Sequence, residues 1–110
     1  MAADTPRSAQ LDITMTPGPT TVLALAGDLD PATAPLLEAA LADATAPGGV
    51  ERVVLDLAGL AFLDSSGLRI FVTSREALAA QGASLALRSP SANTRRLLDV
   101  TGLGEIIDVE

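Results

Sequence analysis

Residues 52–68, RVVLDLAGLAFLDSSGL, join an apolar run to a short polar cluster. The apolar run Arg52–Leu57 predicts a buried strand, because it is short and bounded by turn signals. The connector Ala58–Asp64 is expected to carry three side chains into the core, namely Leu60, Phe62 and Leu63. A helix should follow from about residue 65 to residue 80, where apolar residues recur at near-helical spacing. This segment therefore predicts a strand–helix unit of an α/β fold.

Similar patterns extend in both directions from this unit. Leu11–Met15 and Thr21–Ala26 predict two strands of a hairpin, since Pro17–Thr20 between them has turn chemistry. A helix is expected from about Thr33, where Pro35 is tolerated in the first turn, to about Ala44. Beyond the central unit we expect a strand, a helix and a last strand, over residues 83–88, from Ser89-Pro90 to Thr101-Gly102, and over 105–109. Ser89 is the expected cap of that helix and Pro90 its first residue.

The predicted order is β-β-α-β-α-β-α-β. Strands that alternate with helices indicate right-handed crossovers and a mostly parallel sheet. We therefore expect an α/β fold with a mixed, mostly parallel sheet of four to five strands. Its N-terminal strand would be antiparallel, and three or more helices would cover it. A chain of 110 residues has room for one domain, which we assign to residues 11–110, after a flexible tail over residues 1–10.

The amino-acid composition excludes most kinds of catalytic site. The chain has no His, Cys, Trp or Tyr, and all seven basic residues are Arg. Without His or Lys there is no Ser-His-Asp triad, Schiff base or phosphate-loop lysine. Without Cys or His the usual zinc sites are excluded, so no metal or other cofactor is expected. A binding module, or a substrate of another enzyme, fits this composition better than an enzyme does.

The net charge of −7 narrows the range of partners. Nucleic-acid binding requires a basic surface against the phosphates, and anionic lipids also attract basic segments. The N-terminus has neither the basic nor the apolar region of a signal peptide. The longest uncharged stretch, Ile13–Gly27, is interrupted by Pro and Gly and is too short to span a bilayer. The expected location is the cytoplasm, with no direct contact with nucleic acid or membrane.

Three loops are predicted at the carboxyl ends of the parallel strands, where open α/β sheets bind ligands and partners. They cover residues 27–30, 64–67 and 89–91. In the first loop, Asp28 and Asp30 could simply cap a helix. The loop 64–67 carries three short polar residues where one cap would suffice. Its Gly67 is a poor choice in a first helical turn, which suggests close approach by another backbone or a ligand.

Three motifs together resemble STAS-domain anti-sigma factor antagonists. LDSSGL at 63–68 looks like the signature of that family, and GDLD at 27–30 is similar to its Gly-Glu-Leu-Asp, with Asp in place of Glu. RLLDVTGL at 96–103 is similar to the last helix of the family and its end. The resemblance covers about residues 11–110 and implies the STAS fold.

The resemblance also implies a switch operated by other proteins. Unphosphorylated members bind an anti-sigma factor that is also a serine kinase, and thereby release the sigma factor. The kinase phosphorylates the Ser that follows the Asp, which is Ser65 here, and a metal-dependent phosphatase of the PP2C class reverses the modification. The residues expected at the partner surface are Asp28, Asp30, Asp64, Ser66, Gly67 and Arg69. The Asp28 side chain is shorter than the Glu of the family, which affects that contact rather than the fold.

Some alternatives remain open at this point. Arg69 could contact the partner or be an ordinary solvated residue, and Thr73 could be a second phosphorylation site or an ordinary exposed residue. The chain could also be a STAS subunit of a lipid or anion transport assembly that is not phosphorylated, although the intact Ser65 argues against this. A two-component receiver domain would need a Lys near its phosphoacceptor Asp, and this chain has none.

Overall fold

The computed structural model describes residues 10–110 and contains one five-stranded sheet. The strands pair in chain order, as β1 (Leu11–Thr16), β2 (Thr20–Leu29), β3 (Arg52–Leu63), β4 (Ser84–Arg88) and β5 (Asp108–Val109). β1 is antiparallel to β2, and every other pair is parallel. The predicted mixed, mostly parallel sheet is confirmed. Of the predicted N-terminal tail, residues 1–9 lie outside the described residues.

Three α-helices connect the parallel strands: α1 (Ala34–Thr45), α2 (Ser65–Ala80) and α3 (Ala92–Thr101). Because successive strands are added in one direction, right-handed crossovers place these helices on the same face of the sheet. The core lies between that face and the helices. Its members from the strands and helices include Leu23, Leu25, Val53, Leu55, Leu87, Leu37, Phe71, Leu78 and Leu98.

Strands β2 and β3 are longer than the sequence indicated. β3 continues through the predicted connector, pairing Asp28 with Phe62 and Leu29 with Leu63. Leu60 and Leu63 are buried as expected, whereas the core position predicted for Phe62 is wrong, since this residue is 51% exposed. Strict alternation would place Phe62 on the same face as the buried Leu60, but the β2–β3 register shifts between the pairs Gly27–Leu60 and Asp28–Phe62. After this shift Leu63, and not Phe62, faces the core.

The predicted end of this strand at Ala26 is wrong, because β2 continues to Leu29 and Gly27 lies inside it with φ +112. A Cβ at this position would collide with the carbonyl oxygen of Gln10, just before β1. The neighbouring Asp28 N–H donates to that same oxygen at 2.8 Å. Glycine is therefore required here by the close approach of the chain before β1.

The C-terminal elements also differ from the prediction. Ser91, not Ser89, caps α3, and its hydroxyl oxygen accepts from the Thr94 N–H at 3.1 Å. Ser89 instead has a left-handed φ of 54, and Pro90 precedes the cap. The expected strand 105–109 is reduced to Asp108–Val109, because a 3₁₀ turn occupies Leu103–Glu105.

Ion pairs tie the short strand β5 to its neighbours. Arg52 contacts Asp108 at 3.2 Å and Glu110 at 3.3 Å, and Arg88 contacts Glu110 at 3.2 Å. Hydrogen bonds from Arg88 and Arg52 lower the pKa of the Glu110 carboxyl below its ordinary value. These two arginines are thus already engaged by carboxylates of the same domain.

Candidate functional site

The candidate site lies where β3 ends and α2 begins, at the carboxyl edge of the parallel strands. Asp64 is the N-cap of α2 and has an extended backbone, with φ −122 and ψ −170. Its N–H donates to the Leu29 carbonyl at 3.3 Å, which ties the start of α2 to the end of β2. The predicted helix start at residue 65 or 66 is confirmed, with Ser65 as the first helical residue.

One oxygen of the Asp64 carboxylate accepts two hydrogen bonds from Ser66. Its Oδ1 accepts from the Ser66 backbone N–H at 2.9 Å and from the Ser66 hydroxyl at 2.5 Å. The hydroxyl bond, followed by backbone N–H donors at Ser66 and Gly67, lowers the pKa of the Asp64 carboxyl, although partial burial opposes this. Asp64 therefore stays ionised and serves the cap.

Ser65 differs from its neighbour in both exposure and bonding. Ser65 is exposed, whereas Ser66 is half-buried. Within the part of the chain that the structure describes, the Ser65 hydroxyl has no hydrogen-bond partner, while that of Ser66 is held by Asp64. Of the two adjacent hydroxyls, Ser65 is the one that another protein can reach without breaking an existing bond.

Gly67 is buried, and the packing of the domain itself accounts for the glycine. A Cβ at Gly67 would overlap the Leu63 side chain and lie 2.7 Å from Leu29 Cδ2. The sequence suggested close approach by another backbone or a ligand, but the close neighbours are two leucine side chains of the core. Gly67 allows α2 to sit directly on the ends of β2 and β3.

Asp30 and Asp28, the acidic pair of the first loop, have separate environments. Asp30 Oδ1 accepts from the Ala32 N–H at 2.9 Å and the Thr33 N–H at 3.1 Å, so it holds the turn before α1. Asp28 lies in β2 beside Phe62 and is half-buried. Among residues 10–110 no side-chain bond of the Asp28 carboxylate is found. Neither residue is the N-cap of α1, which is Thr33, so the interpretation of this pair as helix caps is wrong.

Thr33 is a structural residue of this edge that the sequence analysis missed. It is 3% exposed, and its hydroxyl donates to the Asp28 carbonyl at 2.8 Å while accepting from the Asp30 N–H at 3.0 Å. A small polar residue just before a helix is a recognisable signal for a cap. The bond to a residue five positions back, however, depends on the path of β2 into the turn.

A shallow cavity of about 380 Å³ lies between the first turns of α1 and α2, beside Ser65. Ser65, Ser66 and Arg69 line it from α2, and Pro35 and Glu38 line it from α1. Neither Asp28 nor Asp30 lines this cavity, so the structure divides the predicted site residues into two groups. Glu38 had no distinguishing signal in the sequence, because only the packing of α1 against α2 brings it to the site.

Thr73 lies farther along α2 and is also exposed. Its hydroxyl donates to the Ile70 carbonyl at 3.2 Å, as is common for a Thr inside a helix. Thr73 and Glu38 line a second groove between α1 and α2. Within residues 10–110, no group of three or more acidic side chains is arranged to hold a metal ion. No helix in the same range is both long and apolar enough to cross a bilayer.

The fold and this edge define a protein of the STAS class, and comparison with known proteins specifies it further. Residues 14–108 match the family model described as "Mlab, STAS domain". The anti-sigma-B factor antagonist of Bacillus subtilis is 36% identical over 85 residues, which is 77% of this chain and 76% of that protein. The chain therefore belongs to the STAS-domain family of anti-sigma factor antagonists.

Solved structures of such antagonists share the fold. An anti-sigma factor antagonist from Mycobacterium paratuberculosis is 28% identical with a TM-score of 0.78, over 96% of this chain and 87% of that one. The antagonist SpoIIAA in its unphosphorylated form is 26% identical with a TM-score of 0.72, over 94% and 88%. The phosphorylated form of SpoIIAA, from Bacillus, is 26% identical with a TM-score of 0.70, over 92% of this chain and 91% of that one.

Proposed function

We propose that this protein is a partner-switching antagonist whose unphosphorylated form binds an anti-sigma factor serine kinase and so releases the sigma factor. Phosphorylation of Ser65 would then end that binding, and a phosphatase of the PP2C class would restore it. The observation that carries the proposal is the exposed Ser65 hydroxyl beside a Ser66 hydroxyl that Asp64 already holds. The proposed kinase reaction consumes ATP, so the proposed location of the switch is the cytoplasm.

The chemistry at Ser65 requires groups from the partner. Asp64 is a weak base, because its pKa is lowered and its Oδ1 is occupied by Ser66. In the transfer, Ser65 Oγ bonds to the γ-phosphorus of ATP, and the bond from that phosphorus to the β–γ bridging oxygen breaks. ADP leaves with the electron pair, and the hydroxyl proton passes to a base of the kinase. The phosphatase uses water to split the Oγ–P bond, which returns Ser65 and inorganic phosphate.

Charge explains why one phosphoryl group could end the binding. The modification adds about −1.5 to −2 of charge at Ser65, next to the ionised Asp64. A partner surface complementary to a neutral hydroxyl would have to desolvate this anion beside a carboxylate. Like charges at an interface cost several kcal/mol, and about 3–4 kcal/mol corresponds to a loss of affinity of some hundreds-fold.

The domain itself should tolerate the phosphoryl group. Ser65 is the first residue of α2, where free N–H groups and the helix dipole favour an anion. In support, this chain superposes about equally well on the unphosphorylated and phosphorylated forms of SpoIIAA, with TM-scores of 0.72 and 0.70. The proposed switch therefore acts at the surface and requires no refolding.

We assign the partner surface to Asp28, Asp30, Asp64, Ser66 and Arg69, all of which reach the surface around the carboxyl edge of the sheet. Gly67 belongs to the packing beneath this surface, because it is buried under Leu29 and Leu63.

The test uses an anti-sigma factor serine kinase from the same host, purified and incubated with this protein and ATP. We expect one phosphoryl group per chain by intact mass, located at Ser65 by peptide mass spectrometry. Ser65→Ala should abolish the modification, whereas the matched variant Ser66→Ala should still be modified. Modification at Ser66, or of the Ser65→Ala variant, would contradict the site. Capture of an ABC-type ATPase instead of a kinase would favour the transport subunit.

A further inference from the structure

Arg69 lies one helical turn after Ser65 on the same face of α2. Residues four apart on a helix have Cβ atoms about 5–6 Å apart, and an anion placed N-terminal to a cation is the favourable order. Both side chains are exposed, and both line the cavity between α1 and α2. A guanidinium is thus within reach of any group attached to Ser65 Oγ.

Arg69 is one of four arginines within residues 10–110 that have no carboxylate partner, together with Arg75, Arg95 and Arg96. Within residues 10–110, ion pairs engage Arg52 and Arg88, and Arg75 donates to the Ile106 carbonyl at 2.7 Å. No ion pair or hydrogen bond engages Arg69 in the same part of the chain. Its five N–H donors therefore remain available for an added anion.

The walls of the cavity supply few competing charges. The charged residues that line it are Arg69 from α2 and Glu38 from α1, and the N-cap Asp64 directly precedes Ser65. The remaining lining consists of uncharged residues such as Pro35 and Ile70. A volume of about 380 Å³ is ample for a phosphoryl group. The cavity therefore offers one cation, with a carboxylate on the facing wall.

We propose that Arg69 binds the phosphoryl group on Ser65 and holds it in this cavity. The inference rests on the proposed function, since it concerns the phosphorylated state of the same site. Arg69 is a positioning residue here: its planar guanidinium can donate two parallel hydrogen bonds to phosphate oxygens. By favouring the dianion, Arg69 would keep the phosphoryl group fully charged at slightly acidic pH, where a phosphoserine with an ordinary second pKa of about 6 loses charge.

Phosphorus NMR on protein that carries phosphoserine at position 65 tests this contact. The phosphoserine is introduced during synthesis of the full chain, so that no kinase is needed. We expect Arg69→Gln to raise the second pKa of the phosphoryl group by about half a pH unit, because a nearby cation favours the dianion. Arg69→Lys should retain most of the effect, since it keeps the charge.

Arg75→Gln is the matched control, because it removes the same charge at a position ten residues beyond Ser65, about 15 Å from it along α2. Equal second pKa values in the parent, Arg69→Gln and Arg75→Gln would overturn the proposal. Glu38→Gln tests the location, because removing this carboxylate should lower the second pKa if the phosphoryl group lies in the cavity. No change in Glu38→Gln would overturn that placement.

The NMR result is independent of the switch. If phosphorylation leaves binding to the anti-sigma factor unchanged, the proposed function is wrong, whereas the titration still reports the contact with Arg69. If phosphorylation changes this binding but the second pKa of the phosphoryl group is the same in the parent and in Arg69→Gln, the proposed function stands and the proposed contact with Arg69 is wrong.

Discussion

The first turns of α1 and α2 follow neighbouring parallel strands, and each is preceded by an Asp that accepts N–H bonds two residues on. Before α1, the side chains of Asp30 and Thr33 are both engaged within the domain: Asp30 holds the turn, and the Thr33 hydroxyl donates to the Asp28 carbonyl. At α2 the Asp64–Ser66 pair completes the cap in the same way. Ser65 is then left over, exposed and without a partner among the described residues.

The starts of α1 and α2 therefore have similar polar residues but different roles, the first in folding and the second in binding. A short polar residue that the cap needs cannot be modified or replaced without loss of stability. A short polar residue that the cap does not need can be modified at little cost to the fold. Changes at the start of α1 should therefore alter stability, and changes at Ser65 should alter binding.

The largest expected effect is on binding, for Ser65→Asp. A carboxylate at this position adds charge beside Asp64, and we expect affinity for the anti-sigma factor to fall about a hundredfold, or about 2.7 kcal/mol. The thermal midpoint should stay nearly unchanged, since substitutions at exposed positions usually alter stability by less than about 0.5 kcal/mol. Calorimetric titration and thermal unfolding of the same samples measure both. A large drop in the midpoint would assign a structural role to Ser65.

Thr33→Val at the start of α1 is expected to lower stability rather than binding. The substitution keeps the shape but leaves the Asp30 N–H and the Asp28 carbonyl without their partner in a buried place. We expect the free energy of unfolding to fall by about 2 kcal/mol. Urea unfolding measures this, with Thr73→Val on the exposed face of α2 as the control. An equal loss in both variants would contradict the comparison.

Beneath the site, Gly67→Ala should destabilise the domain by about 1–2 kcal/mol. Overpacking against Leu29 and Leu63 costs about 1–3 kcal/mol, and the better helix propensity of Ala recovers part of it. Gly104→Ala is the control, because a Cβ there meets nothing closer than 3.7 Å. Urea unfolding should separate the two variants, and equal stability would remove the packing explanation for Gly67.

Local signals in the sequence were enough to predict the order of elements, the mixed sheet and the position of Ser65. Periodicity located the strands and α2, and the polar cluster after residue 63 marked the site. The exposure of Phe62 could not be predicted in this way, since it depends on β3 continuing to pair with β2 beyond Leu57. The cavity beside Ser65 was also out of reach, because Glu38 arrives there only through the packing of α1 on α2.

The start of α3 shows the same limit of prediction from local sequence. Ser89-Pro90 and Ser91 offer two possible caps a few residues apart, and propensity alone favours a proline in the first turn. The left-handed backbone at Ser89 turns the chain as it leaves β4, so that the helix begins later and Ser91 caps it. The choice between the two caps depends on how the chain leaves the sheet, which local sequence does not encode.

The smallest expected effect concerns the cap of α2 and its dependence on pH. Ser66→Ala removes the hydroxyl bond that contributes most to the lowered pKa of Asp64, so this pKa should rise towards its ordinary value. A carboxyl whose pKa is lower in the folded state stabilises the fold above its unfolded pKa, about 3.9, and loses that contribution as the pH falls through the folded value. Ser66→Ala should therefore lose less stability than the parent on acidification through this range.

Carbon NMR titration of the Asp64 carboxyl measures the pKa directly, and Ser65→Ala should leave it unchanged, because Ser65 does not contribute to the cap. A shift in Ser65→Ala as large as that in Ser66→Ala would show that the two hydroxyls are not distinct, and the contrast between the starts of α1 and α2 would then fail.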